Sequence, residues 1–183
     1  MVMVNRQVGH IGLIRLIGLI GLIGLIGCNR VKPQGAANRQ EVDSTQLKLM
    51  EMNLLLAFEA DGLLVDSVRA SGLPYVLDHR NFWYCRMEPT SGREVKKGMR
   101  VEYAAVVRDL GSGELIEDVT EEIEVGKGAT LRAIDGCLEQ MREGETFRVL
   151  APYYNAYGRD GNERVAPLTN VCIDLKTNAI TKI

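Results

Sequence analysis

The chain is poor in the residues that carry metal and acid–base chemistry. It has two histidines, His10 and His79, in 183 residues, and His10 falls in a segment read below as an export signal. A single remaining histidine argues against a His-based metal site or a catalytic triad. Cysteine is also scarce. Cys28, Cys85, Cys137 and Cys172 include no closely spaced pair, so no thiolate metal site is expected, and no Cys/His arrangement points to a catalytic thiol. With Cys28 set aside, three cysteines are an odd number for a compartment that permits disulfides. Cys137, one helical turn from Ile134 and Met141, reads as a small apolar side chain. There is no excess of basic residues: 22 basic side chains face 24 acidic ones. No basic stripe with interleaved aromatics occurs, which argues against a nucleic-acid partner. The longest apolar run, Leu16 to Gly27, is shorter than the ~20 residues that span a bilayer.

That run has a meaning of its own. Arg6 and Arg15 stand in a stretch without acidic residues, followed by a Leu-Ile-Gly repeat. These are the basic and apolar regions of an export signal, and a low-complexity tract of this kind needs no unique structure. Its end, Leu25-Ile26-Gly27-Cys28, resembles a bacterial lipobox, in which a small residue permits cleavage and the thiol accepts the lipid. Residues 1–27 are therefore expected to be a lipoprotein signal peptide and Cys28 the lipidation site; the alternative is an uncleaved anchor that ends in an unrelated cysteine. The expected location is the bacterial cell envelope, lipid-anchored and facing the periplasm. Residues 28–43 are polar, with Pro33 and Gly35, and read as a flexible tether.

Order begins near Ser44, which with Asp43 can cap a helix. Leu47, Met50, Leu54 and Phe58, then Leu63, Leu64 and Val68, keep helical spacing, with Gly62 as an expected interruption. Residues 44–72 thus form an N-terminal helical segment that Ser71-Gly72-Leu73-Pro74 brings to an end. Met50, Met52 and Leu54–Leu56 make it apolar on more than one side. It either packs on its own domain or serves as a homodimer or partner contact. Residues 82–87 read as the first strand and 99–107 as the second. Asp109 to Gly113 is a turn, and two short strand fragments bound an acidic loop, Glu117 to Glu122.

The most patterned stretch runs from Val125 to Leu175. Gly126 and Gly128 open a helix over 130–141, with Leu131, Ile134, Leu138 and Met141 on one face. Gly144 stops it. Phe147, Val149 and Ala151 alternate as a strand that Pro152 terminates. A Tyr- and Gly-rich loop follows from Tyr153 to Pro167, and a last strand covers 171–175. The pattern predicts an α+β domain: an antiparallel sheet wrapped on a short helix, with a long loop over one end.

Met141, Gly144, Pro152, Ala156-Tyr157-Gly158, Gly161 and Pro167, with Gly98 to Tyr103 upstream, resemble the FKBP-type peptidyl-prolyl cis-trans isomerases in order and spacing. The resemblance covers roughly Gly92 to Thr177, within a domain placed at 80–177. It implies an FKBP-like fold and isomerisation of proline-containing polypeptide clients, with no cofactor and no metal. Its catalytic positions are Tyr103 as a wall, Leu131 through its backbone N–H, Ile134 in place of the floor Trp, and Tyr157 as a hydroxyl donor. Its substrate-binding positions are Ile116 and Glu117 in place of a Phe-Asp pair, Thr130, Val165 and Ala166 at a loop tip, and Ile173 in place of an aromatic. Near Glu121 the family often has another Phe; here a charge is expected at the rim. With four aromatics replaced, weak activity is expected. Tyr103 and Tyr157 can instead be structural anchors, and Glu117 a solvated loop acid. Gliding-motility-type lipoproteins with FKBP-like domains have a similar layout, so the other reading is a non-catalytic binding module or a subunit of a cell-envelope complex.

Overall fold

The computed structural model describes residues 44–182. The expected signal peptide (1–27), the lipid acceptor Cys28 and the rest of the tether lie outside the described residues. From Lys48 onward the chain forms one unit, and it begins with a long helix, α1 (Ser44–Ser71). This helix runs through Gly62 without a break, contrary to the expected interruption. A glycine inside a helix costs about 1 kcal/mol relative to alanine, and here the burial of Ala60 and Leu64 on either side offsets it. Only the second half of α1 packs. Met50, Met52, Leu54 and Leu55 of the first half, and Phe58 just beyond it, are exposed.

After α1 come β1 (Val76–Leu77), β2 (Trp83–Glu88), β3 (Arg100–Asp109), β4 (Leu115–Glu124), α2 (Arg132–Leu138), β5 (Thr146–Ala151), a 3-10 turn (Tyr153–Asn155) and β6 (Val171–Lys182). The six strands form one antiparallel sheet in the order β1-β2-β5-β6-β3-β4. β6 extends well past the expected 171–175 because it pairs with β3 along the whole length of that strand. Strand alternation sends Val101, Tyr103, Ala105 and Val107 of β3 inward, with Phe147, Val149 and Ala151 of β5 and Val171, Ile173 and Leu175 of β6. Those side chains form one core with Ala133, Ile134, Cys137 and Leu138 of α2.

α2 is shorter than the expected 130–141. Gln140 N–H donates to Cys137 C=O and Met141 N–H to Leu138 C=O. These three-residue bonds tighten the chain out of the helix, so Met141 is buried but not helical. The helix lies close to the start of β2. A Cβ on Gly136 would stand 2.9 Å from the Phe82 ring and 3.0 Å from the Arg80 guanidinium, and Arg80 Nη2 donates to Gly136 C=O at 2.8 Å. No larger residue fits there without moving both neighbours.

The acidic loop expected at Glu117–Glu122 is instead the middle of β4, a ten-residue edge strand. Cross-strand register places Tyr103 opposite Glu121 and Val107 opposite Glu117. Glu117, Val119, Glu121 and Ile123 therefore share the inner face with the β3 core residues. The run of acids hid the strand period, and charges of this kind on an edge discourage pairing with another chain.

Leu138 is fully buried where α2 meets the sheet. Leu138→Ala is expected to cost about 2–5 kcal/mol in denaturant unfolding. A change within ~0.5 kcal/mol, typical of a surface site, would contradict the packing.

Candidate functional site

The inner face of the sheet, the start of α2 and the loop after β5 meet around two tyrosines. Tyr103 is 1% exposed, and its hydroxyl makes two bonds, to Glu121 Oε2 at 3.0 Å and to Thr130 Oγ1 at 2.9 Å. A phenol has one proton and a carboxylate only accepts. Tyr103 therefore donates to Glu121, and the Thr130 hydroxyl donates to Tyr103. Burial pushes the Tyr103 hydroxyl up to about 12; the bond from Thr130 works against this, and the Glu121 and Glu117 carboxylates add to it. The phenol is neutral at any physiological pH.

Thr130 and Leu131 lie on the turn that leads into α2. The turn is held by Asp135, whose carboxylate accepts from Gly126 N–H at 2.7 Å and Gly128 N–H at 3.2 Å. Leu131 is the helix N-cap. Its carbonyl accepts the Asp135 N–H, while its own N–H precedes the helical ladder and is not a donor within it. The Leu131 side chain is half-buried against the core. Ile134 and Ile173 are fully buried in the same core. Ile134 is thus a packed floor, and the smaller residue leaves no bare patch there.

Tyr157 hangs from the loop after β5. That loop is pinned at several points. Asn155 Nδ2 donates to the carbonyls of Arg80 (2.7 Å) and Asn81 (3.0 Å), Tyr153 N–H to Asn170 Oδ1 (2.9 Å), and Gly158 N–H to Tyr153 C=O (2.8 Å). Further on, Asn162 and Val165 exchange backbone bonds. A Cβ on Gly161 would stand 2.1 Å from Val165 C=O, so this tip closes only on glycine. The Tyr157 ring packs against the core, as do Ala156 and Ile116. Its hydroxyl oxygen is buried and has no hydrogen-bond partner. Burial and then the Glu117 carboxylate raise its pKa well above the phenol range. That carboxylate is close enough to be felt, but it does not meet the geometry of a bond.

The structure thus brings Tyr103, Ile134 and Ile173 into one core, with Ile116, Leu131 and Tyr157 packed on it and Thr130 bonded to Tyr103. Val165 and Ala166 are set to the side, where they line a small cavity with Ile116. Thr130 cannot give its hydroxyl proton to a ligand while it serves Tyr103. Glu121 is the residue that sequence reasoning under-read: it is the partner of the wall tyrosine. The signal was the period-two run Glu117, Val119, Glu121, Ile123, which places both acids on the inner face.

Residues 91–176, a little under half of the chain, match the family described as FKBP-type peptidyl-prolyl cis-trans isomerase. No curated protein matches the chain. Among solved structures it is similar to a peptidyl-prolyl cis-trans isomerase from Pseudomonas syringae pv. tomato, with TM-score 0.60 and 17% identity over 70% of this chain and 95% of that one. The N-terminal domain of FKBP42 from Arabidopsis thaliana gives TM-score 0.53 and 20% identity over 58% and 91%. A multi-domain immunophilin from Arabidopsis thaliana gives 0.54 and 19% over 59% and 45%. The fold is FKBP-like.

Thr130→Val keeps the shape and removes one donor from the buried Tyr103 oxygen. It is expected to lower stability by about 0.5–1.5 kcal/mol, the net worth of such a bond, measured by urea unfolding. No loss would mean that the Tyr103–Thr130 bond does not hold the sheet to the α2 turn.

Proposed function

We propose that this protein is a peptidyl-prolyl cis-trans isomerase, tethered to a bacterial membrane by lipid on Cys28 and acting on proline-containing segments of exported proteins. The observation that carries the reading is the buried, unpartnered hydroxyl of Tyr157. A buried donor without an acceptor costs about 1–3 kcal/mol, and such a group is explained if its acceptor arrives with a ligand. The reaction suits a donor of this kind. Turning an Xaa-Pro bond breaks amide resonance, with a barrier of about 18–20 kcal/mol, and no covalent bond is made or lost. A catalyst has only to bind the twisted amide better than the planar one. Twisting takes charge off its carbonyl oxygen and returns the lone pair to the nitrogen, so an apolar, water-poor surface favours the twisted form, while hydrogen-bond donors hold neighbouring carbonyls of the peptide. The Tyr157 hydroxyl and the Leu131 N–H are the donors, and the half-buried Ile116 and Leu131, packed on the core that holds Ile134 and Ile173, give the proline ring an apolar surface.

Turnover is expected to be weak. The aromatic residues of comparable domains are replaced by isoleucines, and two carboxylates, Glu117 and Glu121, share the inner face. An aromatic buries 150–250 Å² at roughly 25 cal/mol per Å², so partial loss of that area removes about 1 kcal/mol or more of binding to the ring. A second reading, a binding module without turnover, is favoured by α1. From Met50 to Phe58 it exposes Met50, Met52, Leu54, Leu55 and Phe58, the last at 79%, and a helix apolar on several sides is expected to be covered. Residues 44–72 are proposed as a homodimer contact.

Tyr157→Phe separates a ligand donor from a structural anchor. The donor reading expects proline-peptide isomerisation to fall by roughly tenfold, equivalent to about 1.4 kcal/mol, with stability unchanged or raised because an unmet donor is gone. Lowered stability with unchanged turnover would mean that Tyr157 is an anchor. No acceleration by the parent protein would leave the binding module.

For the tether, Cys28→Ala is expected to abolish acylation and release the protein from the membrane, since stable anchoring needs more than one chain. Intact mass decides it: a chain still beginning at Met1 without acyl mass would refute the lipoprotein reading.

A further inference from the structure

Two adjoining cavities lie near the candidate site, the nearer sharing Ile116, Val165 and Ala166 with it. The nearer, about 180 Å³, is lined by Asp109, Glu114 and Ile116 of the β3–β4 hairpin and by Val165, Ala166 and Thr169 of the loop before β6. Asp109 and Thr169 also line the second cavity. That one, about 580 Å³, lies between the second half of α1, with Leu63 and Asp66, and the segments around Leu110 and Leu168. The two share a wall and make one groove that leads from beside the candidate site to α1.

The groove is built to stay open. Thr169 Oγ1 donates to Ala166 C=O at 2.7 Å, and Leu110 N–H donates to Asn170 C=O at 2.9 Å. Asp109 Oδ1 accepts from Gly111 N–H at 2.8 Å and Ser112 N–H at 2.6 Å. Leu168 sits at φ +60°. A leucine rarely adopts this left-handed conformation, and strain of that kind persists only where surroundings hold it, most often at binding sites. The lining is acidic and apolar together. Asp66, Asp109 and Glu114 line the groove, with Glu117 beside its smaller end, against two cations, Arg164 on the lining and Arg69, which pairs with Asp66 at 3.7 Å. Leu63, Leu110 and Leu168 supply apolar surface. The larger cavity is within the ~300–1,000 Å³ of sites that enclose a small ligand.

We infer that this groove holds the client polypeptide beyond the proline and selects segments in which lysine or arginine accompanies a large apolar residue. The inference rests on the isomerase reading for the bowl. It assigns the choice of client to α1 and the two loops facing it, and the apolar bowl is left to read the proline. The lining shared by the two cavities, with Ile116 common to the smaller one and the candidate site, argues for an extended peptide as occupant. The excess of carboxylates argues for a basic one.

The test uses the full-length protein and three peptides with one Xaa-Pro core. The first is a blocked tetrapeptide that reaches only the bowl. The other two are extended on both sides, one with Lys, Arg and Leu and the other with Glu and Leu. Binding is read by fluorescence anisotropy and turnover by isomerisation kinetics. The basic peptide is expected to bind about fivefold or more tighter than the acidic one, the reach of a well-placed surface ion pair. The preference should shrink in ~1 M salt, where charges are screened beyond about 3 Å. Asp66→Lys combined with Leu63→Ser, both on α1 and outside the bowl, should erase the preference and leave tetrapeptide turnover unchanged. Equal binding of the two long peptides, or a preference that survives the double variant, would overturn the groove while tetrapeptide turnover upholds the isomerase. If the tetrapeptide is not turned over but the basic peptide binds and the variant abolishes binding, the groove stands and the isomerase reading falls.

Discussion

α2 is seven residues long, about two turns, and a helix of that length has no stability of its own in water. It exists because Ala133, Ile134, Cys137 and Leu138 are pressed into the inner face of the sheet. Its N-terminal turn is laced to Asp135, and its glycine lets Phe82 and Arg80 close in from the side. The candidate site is made from the same contacts. Leu131 and Ile134 are on the helix or its cap, and Thr130 ties the turn before it to Tyr103 on β3. Loosening α2 would move the floor, the backbone donor and the wall tyrosine together. The site is therefore a face of the core, placed by packing, and its loops add the second tyrosine.

The two tyrosines differ in a way that bears on function. Tyr103 is saturated by Glu121 and Thr130 and buried, so it has no proton to offer a ligand. Tyr157 is held by a pinned loop and carries a free hydroxyl. The inward carboxylates Glu117 and Glu121 are the unusual element. They lie on the inner face of an edge strand, one bound to Tyr103 and the other felt by both hydroxyls. They put negative charge on the face where Tyr103 lies.

Much of the fold was legible from period alone. Phe147, Val149 and Ala151 marked β5 at its true bounds, 146–151, and the spacing of Ile134 and Leu138 found α2. The family match at 91–176 falls where the motif order from Gly92 to Thr177 pointed. The failures have physical reasons. β4 was hidden because acids are expected in loops, while an edge strand tolerates them on both faces. Gly62 was given too much weight: its propensity cost is small beside the burial of its neighbours. The end of α2 was placed too late because Met141 keeps helical spacing yet reaches the core from a tight turn. At the site, the residue types near Tyr157 could be named from sequence. The Tyr103–Glu121 bond could not, since it depends on a register that becomes visible only when β4 is known to be a strand.

The central claim is that the Tyr157 hydroxyl waits for a carbonyl of the client. The most direct measurement is a structure of the protein with an Xaa-Pro peptide bound. The account predicts the proline ring against Ile116 and Leu131, above the floor of Ile134 and Ile173, with Tyr157 Oη donating to a peptide carbonyl at about 2.7 Å, the usual length of such a bond. A peptide that binds elsewhere, with the Tyr157 hydroxyl still unpartnered, would contradict it.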